Sequence, residues 1–258
     1  MIDLMHQFPA FLLIFVRVTS FFLMMPLFSY RTVPAQFKVG LGFFLSLLMY
    51  LSMEVPILQI DSTYYLLILK EVLVGLLIGL IASIMLSAIQ VAGGFIDFQM
   101  GFAMANVIDP QTGAQSPLMG QYLYIVSLLF LLMVNGHHLI LDGIYYSYQF
   151  IPLEQGWLPL GSAGVAEYVV RSFSTMFMIA LQMALPVVGS IFLVDVALGI
   201  LARTFPQLNI FVVGIPVKIA VSFIILLVVM GTMMLVVSKL FETMLTTMRG
   251  LMSLFGGL

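Results

Sequence analysis

The sequence predicts an all-α protein built from apolar helical hairpins, with the composition of a membrane protein. Hydrophobic residues make up 62% of the 258 residues and charged residues only 8%, whereas a soluble domain carries roughly 25% charged residues. The mean hydropathy is +1.19. Several apolar runs approach the ~20 residues with which a helix spans a bilayer core. We therefore expect about six long apolar helices and an amphipathic C-terminal helix in a multi-pass membrane protein.

Six apolar segments follow one another along the chain. The first contains Arg17, whose charge is costly in hydrocarbon, and the third directly follows Lys70 and Glu71. The fifth is expected to break at Pro186, because proline lacks the helical N–H, and to end at Asp195. The segments are residues 8–28, 39–53, 72–96, 118–134, 172–194 and 210–237.

The C-terminal tail from Lys239 has a different pattern. Its apolar residues recur at helical spacing opposite polar residues, which predicts an amphipathic helix. Such a helix lies either on a membrane surface or against a partner, and the sequence leaves both alternatives open. The apolar positions are Leu240, Phe241, Met244, Leu245, Met248, Leu251, Met252 and Phe255.

Small residues recur every four positions in the third segment and form one stripe along the predicted helix. In an apolar medium helices associate through close packing, for which small residues are needed. We therefore predict that another helix packs on this stripe, although chance is the alternative because apolar helices are rich in glycine and serine. The stripe consists of Gly75, Gly79, Ser83 and Ser87.

A polar stretch with several glycines and prolines, residues 99–117, separates the third and fourth apolar segments. Hydrocarbon cannot hydrogen-bond an irregular backbone, so this stretch cannot face lipid. The only charged residue in this stretch is Asp109. We interpret it as a loop that packs in or over a passage. We expect Met100 and Met104 to form a flexible seal around it, with ordinary core packing as the alternative. The loop residues are Asn106, Asp109, Pro110, Gln111, Gly113, Gln115 and Pro117.

Four charged residues, Asp97, Asp195, Arg203 and Lys218, flank or enter apolar segments. Such residues mark ion paths or pair with one another, and pairing is the commoner outcome. The basic residues fall on both sides of the threaded spans, without the bias that polytopic proteins usually show. This pattern suggests the hypothesis that the helices are buried against other subunits rather than in a simple bilayer.

No motif points to catalysis or to a cofactor. The chain has no cysteine, which excludes thiolate chemistry and Cys-ligated metals. His138 and Asp142 lie one helical turn apart, but a catalytic zinc takes three protein ligands. HExxH, GxSxG and P-loop motifs are missing from the sequence. The net charge of −2 gives no reason to expect nucleic acid. We expect neither an enzyme nor a metal site.

Five stretches of the chain have a specific sequence: GFIDFQMG at 94–101, NVIDPQTGAQSP at 106–117, NGHH at 135–138, VDVALGILARTFPQLN at 194–209 and PVK at 216–218. These stretches resemble the FliR family of the flagellar type III export gate, whose virulence counterparts are the T subunits of type III secretion. The likeness covers nearly the whole chain in order, and the central loop and the ARTFPQ run are its most specific parts.

The resemblance implies a structural subunit that forms and plugs the channel for unfolded flagellar proteins, with no cofactor. Residues 1–170 would be a P-subunit-like part containing the plug loop at about 99–120, and residues 171–258 a Q-subunit-like hairpin with the amphipathic tail. The implied partners are P-type and Q-type gate subunits, the B-type substrate-switch subunit, the basal-body ring and membrane lipid. The implied location is the flagellar basal body at the bacterial inner membrane.

A multi-pass secondary transporter or ion-conducting protein is the alternative. It depends on helix interruptions at Pro186, Pro216 and the Gly93–Gly94 pair, because transporter sites are often built from broken helices. No inverted repeat is visible in the sequence. Solute uptake by the chain alone would favour this alternative, and dependence on partner subunits would favour the export gate.

Overall fold

A computed structural model describes residues 2–29, 33–58, 60–102, 117–156, 158–159, 161, 163–205, 207 and 210–257. All the regular structure in these ranges is helical, which confirms the all-α prediction. The helices are α1 (Ile2–Met24), α2 (Pro26–Ser29), α3 (Ala35–Ser52), α4 (Ser62–Met100), α5 (Leu118–Met133), α6 (Gly136–Phe150), α7 (Ala163–Thr204) and α8 (Ile210–Gly256).

Four helices in the described part of the chain, α3, α4, α7 and α8, are long and apolar enough to cross a membrane. The α5–α6 pair, bent by 75°, makes five if it counts as one span. The predicted first span is shorter than expected, because the apolar part of α1 covers only Phe8–Met24. The helices α4, α7 and α8 contain 39, 42 and 47 residues. At 1.5 Å per residue they are about 58, 63 and 70 Å long, roughly twice a bilayer core of ~30 Å.

Helix α4 begins earlier than the sequence pattern suggested. The apolar pattern predicts a boundary at Lys70 and Glu71, but the helix starts at Ser62 and contains both. Asp61 caps it, since its Oδ1 accepts the backbone N–H groups of Thr63 at 3.0 Å and Tyr64 at 3.1 Å. The hydrogen bond from the Thr63 hydroxyl lowers the pKa of Asp61 below its usual value.

The predicted break at Pro186 and the predicted helix end at Asp195 are wrong, and the interruption at Pro216 on which the transporter alternative depends is also not present in α8. Helix α7 runs through both Pro186 and Asp195 to Thr204, and α8 runs through Pro216. In an apolar setting the remaining backbone hydrogen bonds hold such a helix together, because breaking them costs more than the one bond that proline forfeits. The C-terminal tail is likewise a continuation of α8 and not a separate helix.

The chain folds as two compact units, each assembled from distant segments. Unit 1 comprises Met1–Met85, Asn135–Phe173 and Glu242–Leu258, and unit 2 comprises Leu86–Val134 and Ser174–Phe241. These units are defined by packing, whereas the expected parts 1–170 and 171–258 are defined by the resemblance to P-type and Q-type subunits. That second division therefore stays a prediction.

A buried charge cluster lies inside unit 1. The Arg17 guanidinium binds the Glu71 carboxylate through two nitrogens, and Lys70 Nζ lies 2.8 Å from Glu71 Oε1. All three side chains are fully buried. Arg17 also donates to Ser147 Oγ at 3.0 Å and stacks over Tyr148, whose ring centroid is 4.0 Å from the guanidinium carbon. The cluster therefore joins α1, α4 and α6.

The segment after α6 supplies the remaining acceptors. Arg17 donates to the Ile151 carbonyl at 2.9 Å, and Lys70 donates to the carbonyls of Pro152 and Leu153 at 2.9 and 3.0 Å. Buried ions are tolerated only when further hydrogen bonds accompany the ion pair. These carbonyls meet that requirement and at the same time hold the backbone of residues 151–153 in place.

The end of α8 completes the core of unit 1. Its apolar face is buried within the unit, and Tyr168 donates its hydroxyl proton to the Thr247 carbonyl at 2.9 Å. Gln155 donates to the Phe255 carbonyl at 2.8 Å. Both alternatives left open by the sequence, a membrane surface and a separate partner, are therefore wrong for this face. The buried residues are Met244, Met248, Leu251, Met252 and Phe255.

The first half of the small-residue stripe lies against α1. A Cβ at Gly79 would lie 2.8 Å from the Met24 Cβ, and a Cβ at Gly75 would overlap the Ser20 hydroxyl. Ser83 and Ser87 are half-buried. Glycine is thus required by close approach at the first two positions of the stripe.

Candidate functional site

The structure describes both ends of the predicted loop. Gln99, Met100, Gly101 and Phe102 end α4 and leave it, while Pro117 leads into α5. The candidate site is therefore the α4–α5 junction, which comprises residues 93–102 and 117–120, all in unit 2. The predicted loop residues that lie outside the described residues are Met104, Asn106, Asp109, Pro110, Gln111, Gly113 and Gln115.

Helix α4 ends in a Schellman motif. Gly101 has a φ of 91°, a left-handed conformation that glycine adopts without strain. Its N–H donates to the Phe98 carbonyl at 3.2 Å, and the Phe102 N–H donates to the Asp97 carbonyl at 3.0 Å. This pair of bonds satisfies the last carbonyls of the helix and fixes the direction in which the chain leaves it.

The start of α5 depends on the side chain of Asp97. Pro117 precedes the helix and supplies no side-chain cap. Instead the Asp97 carboxylate accepts the Met119 N–H, at 3.0 Å from Oδ2 and 3.2 Å from Oδ1. Asp97 is only 2% exposed. The acceptor oxygen pairs with an N–H of the first turn of α5 that would otherwise have no partner. A negative charge at this position also interacts favourably with the positive end of the helix dipole.

Two glycines allow the helices to meet. A Cβ at Gly93 would overlap the Cα and N atoms of Gly120, and a Cβ at Gly120 would lie 2.8 Å from the Pro117 ring and 3.0 Å from the Gln90 carbonyl. The helix backbones are therefore in direct contact, as at other small-residue crossings. The Gly93–Gly94 pair lies inside a continuous α4, so it serves a helix contact and not a break.

A polar network continues from the last turn of α4. The Gln99 side chain donates to Asp195 Oδ2 at 2.8 Å, and Lys218 forms an ion pair with Asp195 Oδ1. The side chains of Lys218 and Asp195 are 26% and 30% exposed. This network links α4 with α7 and α8 within unit 2.

The four predicted charged residues therefore do not form one site in the structure. Asp195 and Lys218 pair with each other, Asp97 caps α5, and Arg203 is exposed in the last turn of α7. Sequence reasoning missed Gln99 as a partner of Asp195. The sequence signalled only the pair itself, because Asp195 follows the fifth apolar segment and Lys218 lies in the sixth, and charges in such segments usually pair.

Comparison with known proteins identifies the family. The family model described as bacterial export proteins, family 1, matches residues 8–244. The chain belongs to this family.

Similar members include the flagellar biosynthetic protein FliR of Bacillus subtilis strain 168, which is 55% identical over 98% of both chains. FliR of Pectobacterium carotovorum is 30% identical over 85% of this chain and 84% of its own. The Yop proteins translocation protein T of Yersinia pestis is 32% identical over 71% of this chain and 70% of its own.

The matched family is described as bacterial export proteins, and its similar members are named for flagellar biosynthesis and for Yop protein translocation. Within the described ranges, no group of three or more His, Asp or Glu residues is placed to hold a metal ion. The rings of His137 and His138 have centroids 4.1 Å apart and are tilted by 37° to each other. The prediction that this family member has no catalytic activity and no cofactor stays a prediction.

Proposed function

We propose that the chain is a subunit of the flagellar type III protein export gate and that it forms and closes a channel for unfolded flagellar proteins. Support comes from the names of its relatives, since one set is flagellar and another translocates Yop proteins. An export apparatus is the common element of the two. The relative that is 55% identical is flagellar, which favours the flagellar system for this chain.

The observation that carries the closing role is the anchoring of both ends of the loop at one point. The Asp97 backbone holds the end of α4 and its side chain holds the start of α5. Phe102 and Met119, on either side of the loop, are thus both hydrogen-bonded to one residue. We assign the closing role to Asn106, Asp109, Pro110, Gln111, Gly113, Gln115 and Pro117, with Met100 and Met104 as the seal. Fully buried Met100 is also compatible with core packing.

The partners we propose are the P-type and Q-type gate subunits, the B-type subunit and the basal-body ring, with membrane lipid around them. Support comes from the uneven burial of the long apolar helices. The most apolar window of α4 is 61% buried within the chain, whereas those of α7 and α8 are each 17% buried. So much apolar surface must be covered by lipid or by other subunits. We infer that the inner membrane at the flagellar basal body is the location.

A transporter is no longer favoured by a specific observation. The alternative depended on broken helices at Pro186 and Pro216, and both prolines lie inside continuous helices. Gly93 and Gly94 likewise lie inside α4.

Shortening residues 106–117 tests the closing role. We expect normal assembly but a membrane that leaks small ions, because the shortened loop no longer fills the passage. The measurement is ion flux and complex yield in cells that make the shortened chain together with its partners. The control is the same chain in cells without the partner subunits, where no leak is expected. Unchanged ion flux with partners present contradicts the closing role, and equal leakage without them supports a chain that conducts by itself.

A further inference from the structure

We propose that Asp97 is the positioning residue of the α4–α5 junction, acting on both helix ends through different atoms. Its carbonyl accepts the Phe102 N–H and so terminates α4, while its carboxylate accepts the Met119 N–H, 22 residues later in the chain, and so starts α5. This inference deepens the proposed function and depends on it for the consequence of closure. The contacts that define Asp97 are independent of that function.

Because Asp97 is buried, the Met119 N–H depends on its carboxylate as an acceptor. At 2% exposure, water cannot replace it as the acceptor for the Met119 N–H. The neighbouring cap position is proline, which offers no side-chain oxygen. Without the carboxylate the first turn of α5 therefore loses its only side-chain acceptor among the described residues, and an unpaired buried N–H is expensive.

The glycine crossing explains why a small error at this point matters. Gly120 follows Met119 directly and touches the α4 backbone at Gly93. A first turn of α5 that frays or shifts removes this contact as well. The carboxylate thus sets the register in which the two helices meet, on either side of the segment that we propose as the closing element.

The two roles of Asp97 are separable by substitution. Asp97→Ala removes the acceptor for Met119 but keeps the backbone carbonyl that serves Phe102. We expect hydrogen exchange at Met119 in the assembled complex to rise about tenfold, the scale expected for a lost helix cap, while exchange at Phe102 changes little. Asp97→Asn keeps one oxygen acceptor and should give an intermediate rate. The charge-matched control is Asp142→Ala, because Asp142 is exposed on α6.

Exchange and ion flux together decide the outcome. Faster exchange confined to the start of α5, with ion leakage in Asp97→Ala and partial rescue in Asp97→Asn, supports the inference. Unchanged exchange at Met119 overturns it, as does a rise spread equally over α4 and α5. If the shortened loop leaks but Asp97→Ala does not, closure is independent of Asp97 and the inference fails while the proposed function stands. If the shortened loop does not leak, the proposed function fails and Met119 exchange alone decides the positioning role.

Discussion

Glu71→Gln is expected to prevent the chain from accumulating in folded form. Glu71 is the shared anion of two fully buried cations, Arg17 and Lys70. The neutral amide leaves both cations without a counter-charge, and breaking a buried ion pair in this way costs about 3–5 kcal/mol. Most proteins have a total stability of only about 5–15 kcal/mol. The measurement is the yield and thermal unfolding temperature of the detergent-extracted complex.

The same substitution in an exposed pair is the matched control for this prediction. Glu167 binds Arg171 one turn away on α7, and their side chains are 62% and 76% exposed. Such surface pairs contribute about 0–1 kcal/mol, so Glu167→Gln should leave yield and unfolding temperature nearly unchanged. Equal behaviour of the two variants would show that the buried cluster does not stabilise unit 1.

Gly93→Leu is expected to abolish assembly of the gate complex. Even the Cβ would overlap backbone atoms of Gly120, and backbone cannot move aside as the end of a flexible side chain can. Overpacking in a tight core costs about 1–3 kcal/mol, occasionally more, and here the helices α4 and α5 must separate. Gly93→Ala should already reduce the yield of the complex strongly. The measurement is the amount of chain that co-purifies with its partner subunits.

Gly189→Ala provides the comparison on α7 in the same unit. Among the described residues, no atom outside its own stretch of helix lies within 4 Å of the Cβ that it adds, and alanine is favoured over glycine in a helix by roughly 0.5–1 kcal/mol. We expect normal or slightly higher yield for this variant. If Gly93→Ala assembles as well as Gly189→Ala, direct backbone contact at Gly93 is not needed.

The helical composition could be predicted from sequence because it follows from local properties. Apolar content and segment length predicted an all-α chain, and the spacing of Met244, Met248 and Leu251 predicted the face of α8 that is buried. What that face packs against could not be predicted. Its partner in unit 1 comes from distant parts of the chain, and no local pattern encodes such a pairing.

The central contacts of the molecule were missed for the same reason. Arg17 was recognised as costly, but its partner Glu71 is 54 residues away and looked like a helix boundary beside Lys70. Charge usually marks the end of an apolar helix, and here the charges compensate one another inside the fold. Similarly, Gly93 suggested a helix break, because sequence alone does not distinguish a glycine required by close approach from one required by backbone conformation.

Native mass spectrometry of the affinity-tagged chain, extracted in mild detergent from its own cells, most directly tests membership of an export gate. We predict a large complex that holds one copy of this chain with several copies of two small apolar partner proteins. A monomer or a homodimer without partners would contradict the proposed gate function.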